Sequence, residues 1–108
     1  MRMSETMIIK GGFRAFSKSN VANAPDSEGV YALFDHETLI YIGRSYGRDN
    51  TIRTQLQHHK DGLGEKGTRR ATLYWRELCD NPIAREQELL DEYQASNGEP
   101  PPCNVFMS

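Results

Sequence analysis

Two tyrosines, Tyr31 and Tyr41, stand in the stretch GVYALFDHETLIYIGRS, which runs from Gly29 to Ser45. One ends a Gly-Val-Tyr and the other opens a Tyr-Ile-Gly. A phenol with a pKa near ~10 is a poor base when isolated, but nearby cations favour its phenolate. Arg44 follows Gly43 directly, and Arg53 stands ten residues after that glycine. A guanidinium meets a phosphate with a planar fork of donors. Carboxylates follow at Glu86, Glu88 and Glu92. Tyrosine, arginine and glutamate together suit phosphodiester hydrolysis, which needs an activated water and neutralisation of the phosphate. The plain reading of each tyrosine is aromatic packing inside a hairpin core.

Charge is distributed along the chain in a way that bears on this chemistry. The 108 residues carry a formal net charge of −2, which taken alone argues against a nucleic-acid partner. Residues 44–76, however, hold eight basic and three acidic groups, a net of +5. Arg44, Arg48, Lys60, Arg69 and Arg70 belong to this segment. Residues 1–43 have a net of −1 and residues 77–108 a net of −6. A basic middle between acidic ends offers one face to a phosphate backbone, though a solvated helix and loop would read the same way.

The elements that must position these residues follow from pattern. The length suits one domain. Residues 1–28 read as an N-terminal arm or strand of uncertain structure, with MIIKGGFRAF as a candidate strand. VYALF and LIYIG read as two strands joined by a DHET turn, a β-hairpin. Asn50 or Asp49 is placed to cap a helix over 51–60, whose Ile52 and Leu56 face inward. ATLYWREL reads as a third strand. Asn81 and Pro82 open a last helix, with Ile83, Leu89, Leu90 and Tyr93 inward, and NGEPPPCN stops it near Ala95. The expected class is α+β, a small three-stranded mostly antiparallel sheet flanked by helices, over residues 29–108.

The chain lacks an apolar run of ~18 residues and a secretory h-region. Cys79 and Cys103 are far apart and form no CxxC pair, so a reduced, cytoplasmic protein without a membrane contact is expected.

The ordered set of GVY, YIG, Arg53, a glutamate in the late helix and PPCN resembles the GIY-YIG nuclease superfamily over about residues 29–104. That family includes homing endonucleases, restriction enzymes and a bacterial excision-repair nuclease. The resemblance implies an endonuclease that hydrolyses DNA with one Mg²⁺ or Mn²⁺ ion. It implies Tyr31 as the base, Tyr41 as its partner and Arg53 on the scissile phosphate. Arg44 matches a position where the family often carries a basic residue, and Gly43 would let substrate or backbone come close. Asn104 matches the family's terminal asparagine.

The chain departs from the family after Arg53, where the fourth residue on is Gln57 rather than histidine or tyrosine. His58 is the histidine assigned to the site. His59 is its rival, since one helical residue turns a side chain by roughly 100° and both cannot face the same way. Glu86 is the expected metal ligand, because it shares the stripe of Ile83, Leu90 and Tyr93, whereas Glu88 and Glu92 fall on the solvent side; Glu92, twelve residues before Asn104, is its rival on spacing alone. A chain this small must dimerise, recruit a partner protein or cut loosely. The alternative reading is a DNA-binding or protein-interaction module with the same fold and no catalysis.

Overall fold

A computed structural model of the chain describes residues 12–107. The hairpin forms as its alternation dictates: β2 is Gly29–Asp35 and β3 is Thr38–Ser45, paired antiparallel. The turn between them places His36 in the left-handed region, at φ 58°. β4, Leu73–Leu78, pairs antiparallel with the other side of β2. The sheet has four strands rather than the expected three. The short β1, Arg14–Ala15, lies in the N-terminal segment and pairs antiparallel with the open edge of β4, giving the order β1-β4-β2-β3. The candidate strand was broader than this, and its residues 7–11 lie outside the described residues.

Central β2 is buried from Gly29 to Phe34 because both faces of the sheet are covered. On one face Tyr31, Leu33, Tyr41 and Tyr74 meet Val21 and Ala24 of the N-terminal segment and Ile52 and Leu56. On the other, Val30, Ala32, Phe34, Ile42 and Trp75 meet Leu89 and Tyr93. The register slips between Leu33 and Phe34, so that β3 carries one extra residue, Ile40. Ile40 and Tyr41 therefore both join the cluster of Tyr31, while Leu39 and Ile42 serve the opposite face.

Three helices cover the two faces. α1 is Lys18–Ala22, capped by Ser17. α2 is Ile52–Lys60. Its cap is Thr51, not Asn50 or Asp49: Thr51 and Thr54 form a reciprocal capping box. α3 is Pro82–Asn97, opened by Asn81 with Pro82 in the first turn and ended by Gly98 in the left-handed region. Its buried stripe is Pro82, Glu86, Leu89 and Tyr93. Ile83, expected inward, is 48% exposed, because Pro82 takes the inner position of the first turn.

The chain closes with a 3-10 segment, Pro102–Met107, laid along the outer edge of β3. Both cysteines are free thiols. No helix among the described residues is long and apolar enough to cross a membrane.

Candidate active site

Antiparallel pairing sets Tyr31 of β2 opposite Gly43 of β3. A side chain at Gly43 would place its Cβ 2.5 Å from the Tyr31 ring and hydroxyl and 2.7 Å from the Tyr41 ring. Glycine is thus what lets the two tyrosines lie together, with ring centroids 6.1 Å apart. His59 of α2 completes a triangle, 5.6 Å from the Tyr31 ring and 4.9 Å from that of Tyr41.

The hydrogen bonds around His59 fix its tautomer. The Thr68 hydroxyl lies 2.8 Å from the carbonyl oxygen of Glu65, which can only accept, so the hydroxyl proton points there. Thr68 Oγ1 is also 2.8 Å from His59 Nδ1 and must therefore accept from it. Nδ1 carries the proton, and Nε2 is left as an acceptor 2.8 Å from the Tyr31 hydroxyl. The Tyr31 phenol thus donates to His59. Burial lowers the His59 pKa from 6.5 to about 4, so the ring is neutral at pH 7. Gly64 makes room for this arrangement, since a Cβ there would stand 2.1 Å from Nδ1.

Tyr41 has its own acceptor. Its hydroxyl donates to the Glu65 carboxylate at 2.8 Å, reaching from the loop after α2. Burial raises the pKa of both tyrosines, and the carboxylates of Glu65 and Glu86 push the same way.

A cavity of about 270 Å³ opens beside these rings, lined by Tyr31, Tyr41, Arg44, Tyr46, Asn50, Gln55, Ile83 and Glu86. Arg44 and Glu86 face each other across its wall as an ion pair at 2.5 Å. Glu86 is 7% exposed, and Arg44 is half exposed. Gln55 donates to Asn50 at 2.5 Å, with its oxygen 3.4 Å from the Tyr31 hydroxyl. A larger cavity of about 420 Å³ lies elsewhere, between Lys18, Val21, Gln57, His58, Lys60 and Asp61. It holds cations but neither tyrosine nor Glu86, so it does not fit the same chemistry.

The structure brings Tyr31, Tyr41, Gly43, Arg44 and Glu86 together and separates the rest. Arg53 turns away from the cavity: its Nε donates to the Ala24 carbonyl at 2.9 Å, and Asp26 lies 3.9 Å from its Nη1. The first amides of α2 are already taken, Ile52 by Ser27 and Arg53 by Pro25. His58 is exposed and lines the larger cavity, while His59 is the buried one. Asn104 does not line the tyrosine cavity. Its side chain clamps Ile42, accepting from the backbone N–H at 2.9 Å and donating to the carbonyl at 3.0 Å.

The basic segment is dispersed rather than focused. Arg48 lines a third cavity with Asp26 and Glu28, Lys60 donates to the Phe16 carbonyl at 2.6 Å, and Arg70 pairs with Asp35 at 3.4 Å. Arg69 is exposed. Gln55, Glu65 and Thr68 were not anticipated. Gln55 lies three residues after Ile52 and so shares its helical face, which is a signal present in the sequence. Glu65 and Thr68 sit in a loop and leave no periodic trace.

Compared with known proteins, the chain matches no family model, no curated protein and no solved structure.

Proposed function

We propose that this chain is a metal-dependent endonuclease of the GIY-YIG type, hydrolysing phosphodiester bonds in DNA in the cytoplasm. The observation that carries the reading is the bond from the Tyr31 phenol to neutral His59 on the wall of a cavity that also holds Tyr41, Arg44 and Glu86. A phenol that donates its proton away from the cavity keeps an oxygen lone pair for what enters. It can therefore accept a proton from a water.

In the reaction, the oxygen of that water forms a bond to phosphorus while one of its protons moves to the Tyr31 oxygen. The Tyr31 proton passes to His59 Nε2, and the Nδ1–H bond to Thr68 supports the imidazolium that forms. The bond from phosphorus to the leaving oxygen breaks, and that oxygen takes a proton from solvent. The relay then runs in reverse: Tyr31 releases the proton it took to water in the cavity and takes back its own from His59 Nε2, leaving a phosphate monoester and an alcohol. Arg44 stands where its fork can meet the negative oxygens of the phosphate.

Glu86 is the residue that would hold the divalent ion. One buried carboxylate suits a hard cation that keeps most of its waters. Its present counter-charge, Arg44, is half exposed and has the freedom to turn toward a phosphate instead. The ion would supply charge neutralisation at the phosphate. Among the described residues no group of three or more His, Cys, Asp or Glu is gathered for a metal.

The second reading is a DNA-binding or protein-interaction module without catalysis. The Arg44–Glu86 pair favours it, because each charge already satisfies the other. A nicking assay on supercoiled plasmid, branched DNA and RNA, with Mg²⁺ or Mn²⁺ and a chelator control, separates the two. Metal-dependent cutting that Tyr31→Phe abolishes supports the nuclease. DNA binding with no cutting of any substrate by the folded chain supports the module.

A further inference from the structure

We infer that Glu65 is a positioning residue for Tyr41, holding its hydroxyl proton out of the cavity so that the Tyr41 oxygen faces the reaction as an acceptor. This inference rests on the nuclease reading for its catalytic meaning but not for its geometry.

The loop after α2 brings Glu65 back over the sheet. Thr68 anchors that loop through its amide and hydroxyl, which both bond the Glu65 carbonyl, at 3.1 and 2.8 Å. The same Thr68 hydroxyl oxygen receives His59 Nδ1–H. Glu65 is thus fixed through its backbone to one tyrosine's acceptor and through its carboxylate to the other tyrosine. Its Oε1 accepts from Tyr41 at 2.8 Å. A carboxylate has no proton to give, so the polarity of this bond is unambiguous.

Two neighbouring phenols left to themselves would donate to each other or into the cavity. A phenol that donates into the cavity would bond a phosphate oxygen and compete with the water for it. The two side chains are also in hydrogen-bond contact with each other; with the Tyr31 proton committed to His59 and the Tyr41 proton to Glu65, neither hydroxyl has a proton left to donate into the cavity that both line. A water donating one proton to each would present its own lone pair away from the sheet, toward a phosphate held by Arg44. The charged and titratable groups facing Tyr41 are Tyr31 on β2, Glu65 and His59 on the α2 side, and Glu86 on α3.

The experiment compares Glu65→Ala, Glu65→Gln, Tyr41→Phe and the double variant Glu65→Ala/Tyr41→Phe, each checked for folding by circular dichroism. Cleavage is measured as kcat and KM, and folding stability by urea unfolding, so that the Glu65–Tyr41 coupling is read from a double-variant cycle. Glu65→Ala is expected to lose roughly 100-fold in kcat, the lower end for a proton-handling group, with KM little changed. Glu65→Gln retains an acceptor and is expected to keep most activity. In stability the two single losses are expected to be non-additive, because Tyr41→Phe already removes the bond that Glu65→Ala removes. The double variant is expected to be no worse than Tyr41→Phe alone. Additive losses, in kcat or in stability, would overturn the assignment. If the parent chain cuts nothing, the nuclease reading fails while the stability cycle still decides whether Glu65 is bonded to Tyr41.

Discussion

The hydroxyl of Tyr31 on β2 lies 2.8 Å from Nε2 of His59 on α2, across 28 residues of sequence. His59 is 1% exposed there, and a stability consequence follows from its burial. Its pKa falls from 6.5 to about 4 on folding, chiefly through burial. Between those values the unfolded chain binds a proton that the folded chain refuses. Stability from this group is therefore complete above pH 6.5 and is lost as pH falls toward 4, by up to about 3 kcal/mol. Urea unfolding at pH 7, 5.5 and 4.5 is expected to show the decline in the parent and in His58→Gln. In His59→Gln the decline should be clearly shallower, and an identical slope in that variant would remove His59 as its source.

Gly43 is expected to tolerate nothing larger. Gly43→Ala drives a methyl into the Tyr31 and Tyr41 rings, at 2.5 and 2.7 Å. Tyr31 is 1% exposed and cannot swing out without opening the core. Overpacking of this kind costs about 1–3 kcal/mol. A urea midpoint within error of the parent would mean that the rings have more room than their contacts indicate.

Asn104 is expected to act on stability rather than on chemistry. β3 is an edge strand, and Ile42 turns both its peptide groups outward, where Asn104 bonds them. Leaving a buried peptide group unpaired costs roughly 1–3 kcal/mol. Asn104→Ala removes both partners. Asn104→Asp keeps the acceptor for the Ile42 N–H and loses the donor to its carbonyl. Thermal melts should rank parent above Asn104→Asp above Asn104→Ala. A parent-like melting temperature with abolished cleavage would instead place Asn104 in the chemistry.

The hairpin was legible because two runs of strand formers flank a polar turn; its register was not, because the bulge at Ile40 sets Ile40 and Tyr41 on one face. The helix phase of α3 was legible enough to bring Glu86 inside and to leave Glu88 exposed. Counting from Ile52 and Leu56 also reaches His59, at seven and three residues on, and passes over His58. The expectation for His58 followed the family spacing, whereas α2 turns His59 inward and leaves His58 exposed. Arg53 sits one residue after Ile52, so its side chain starts about 100° away from the buried stripe. β1 was not legible because two residues carry no period. The same holds for the loop that delivers Glu65 and Thr68, which is set by tertiary contacts and not by local propensity.

Of the two arginines, Arg44 lines the tyrosine cavity and Arg53 does not. Arg53 was the expected phosphate ligand; its Nε donates to the Ala24 carbonyl at 2.9 Å, and Asp26 lies 3.9 Å from its Nη1. Arg44 is on the cavity wall beside Glu86. Arg53→Ala is therefore expected to keep cleavage within about threefold and to lose a little stability, about 1 kcal/mol, with its hydrogen bond. Arg44→Ala is expected to lose about 100-fold or more in kcat, as when a donor to developing charge is removed. Arg44→Lys should recover little, because a point charge does not reproduce the fork. Arg44→Ala also strands the buried Glu86 carboxylate, so Arg44→Gln/Glu86→Gln serves as the neutral control for folding. DNA affinity against salt completes the set: Arg44→Ala should reduce the slope of log affinity on log salt by about 0.9 for duplex DNA, and Arg53→Ala should leave it unchanged. Cleavage abolished by Arg53→Ala, with fold and affinity intact, would show that Arg53 leaves Ala24 and enters the cavity when DNA binds.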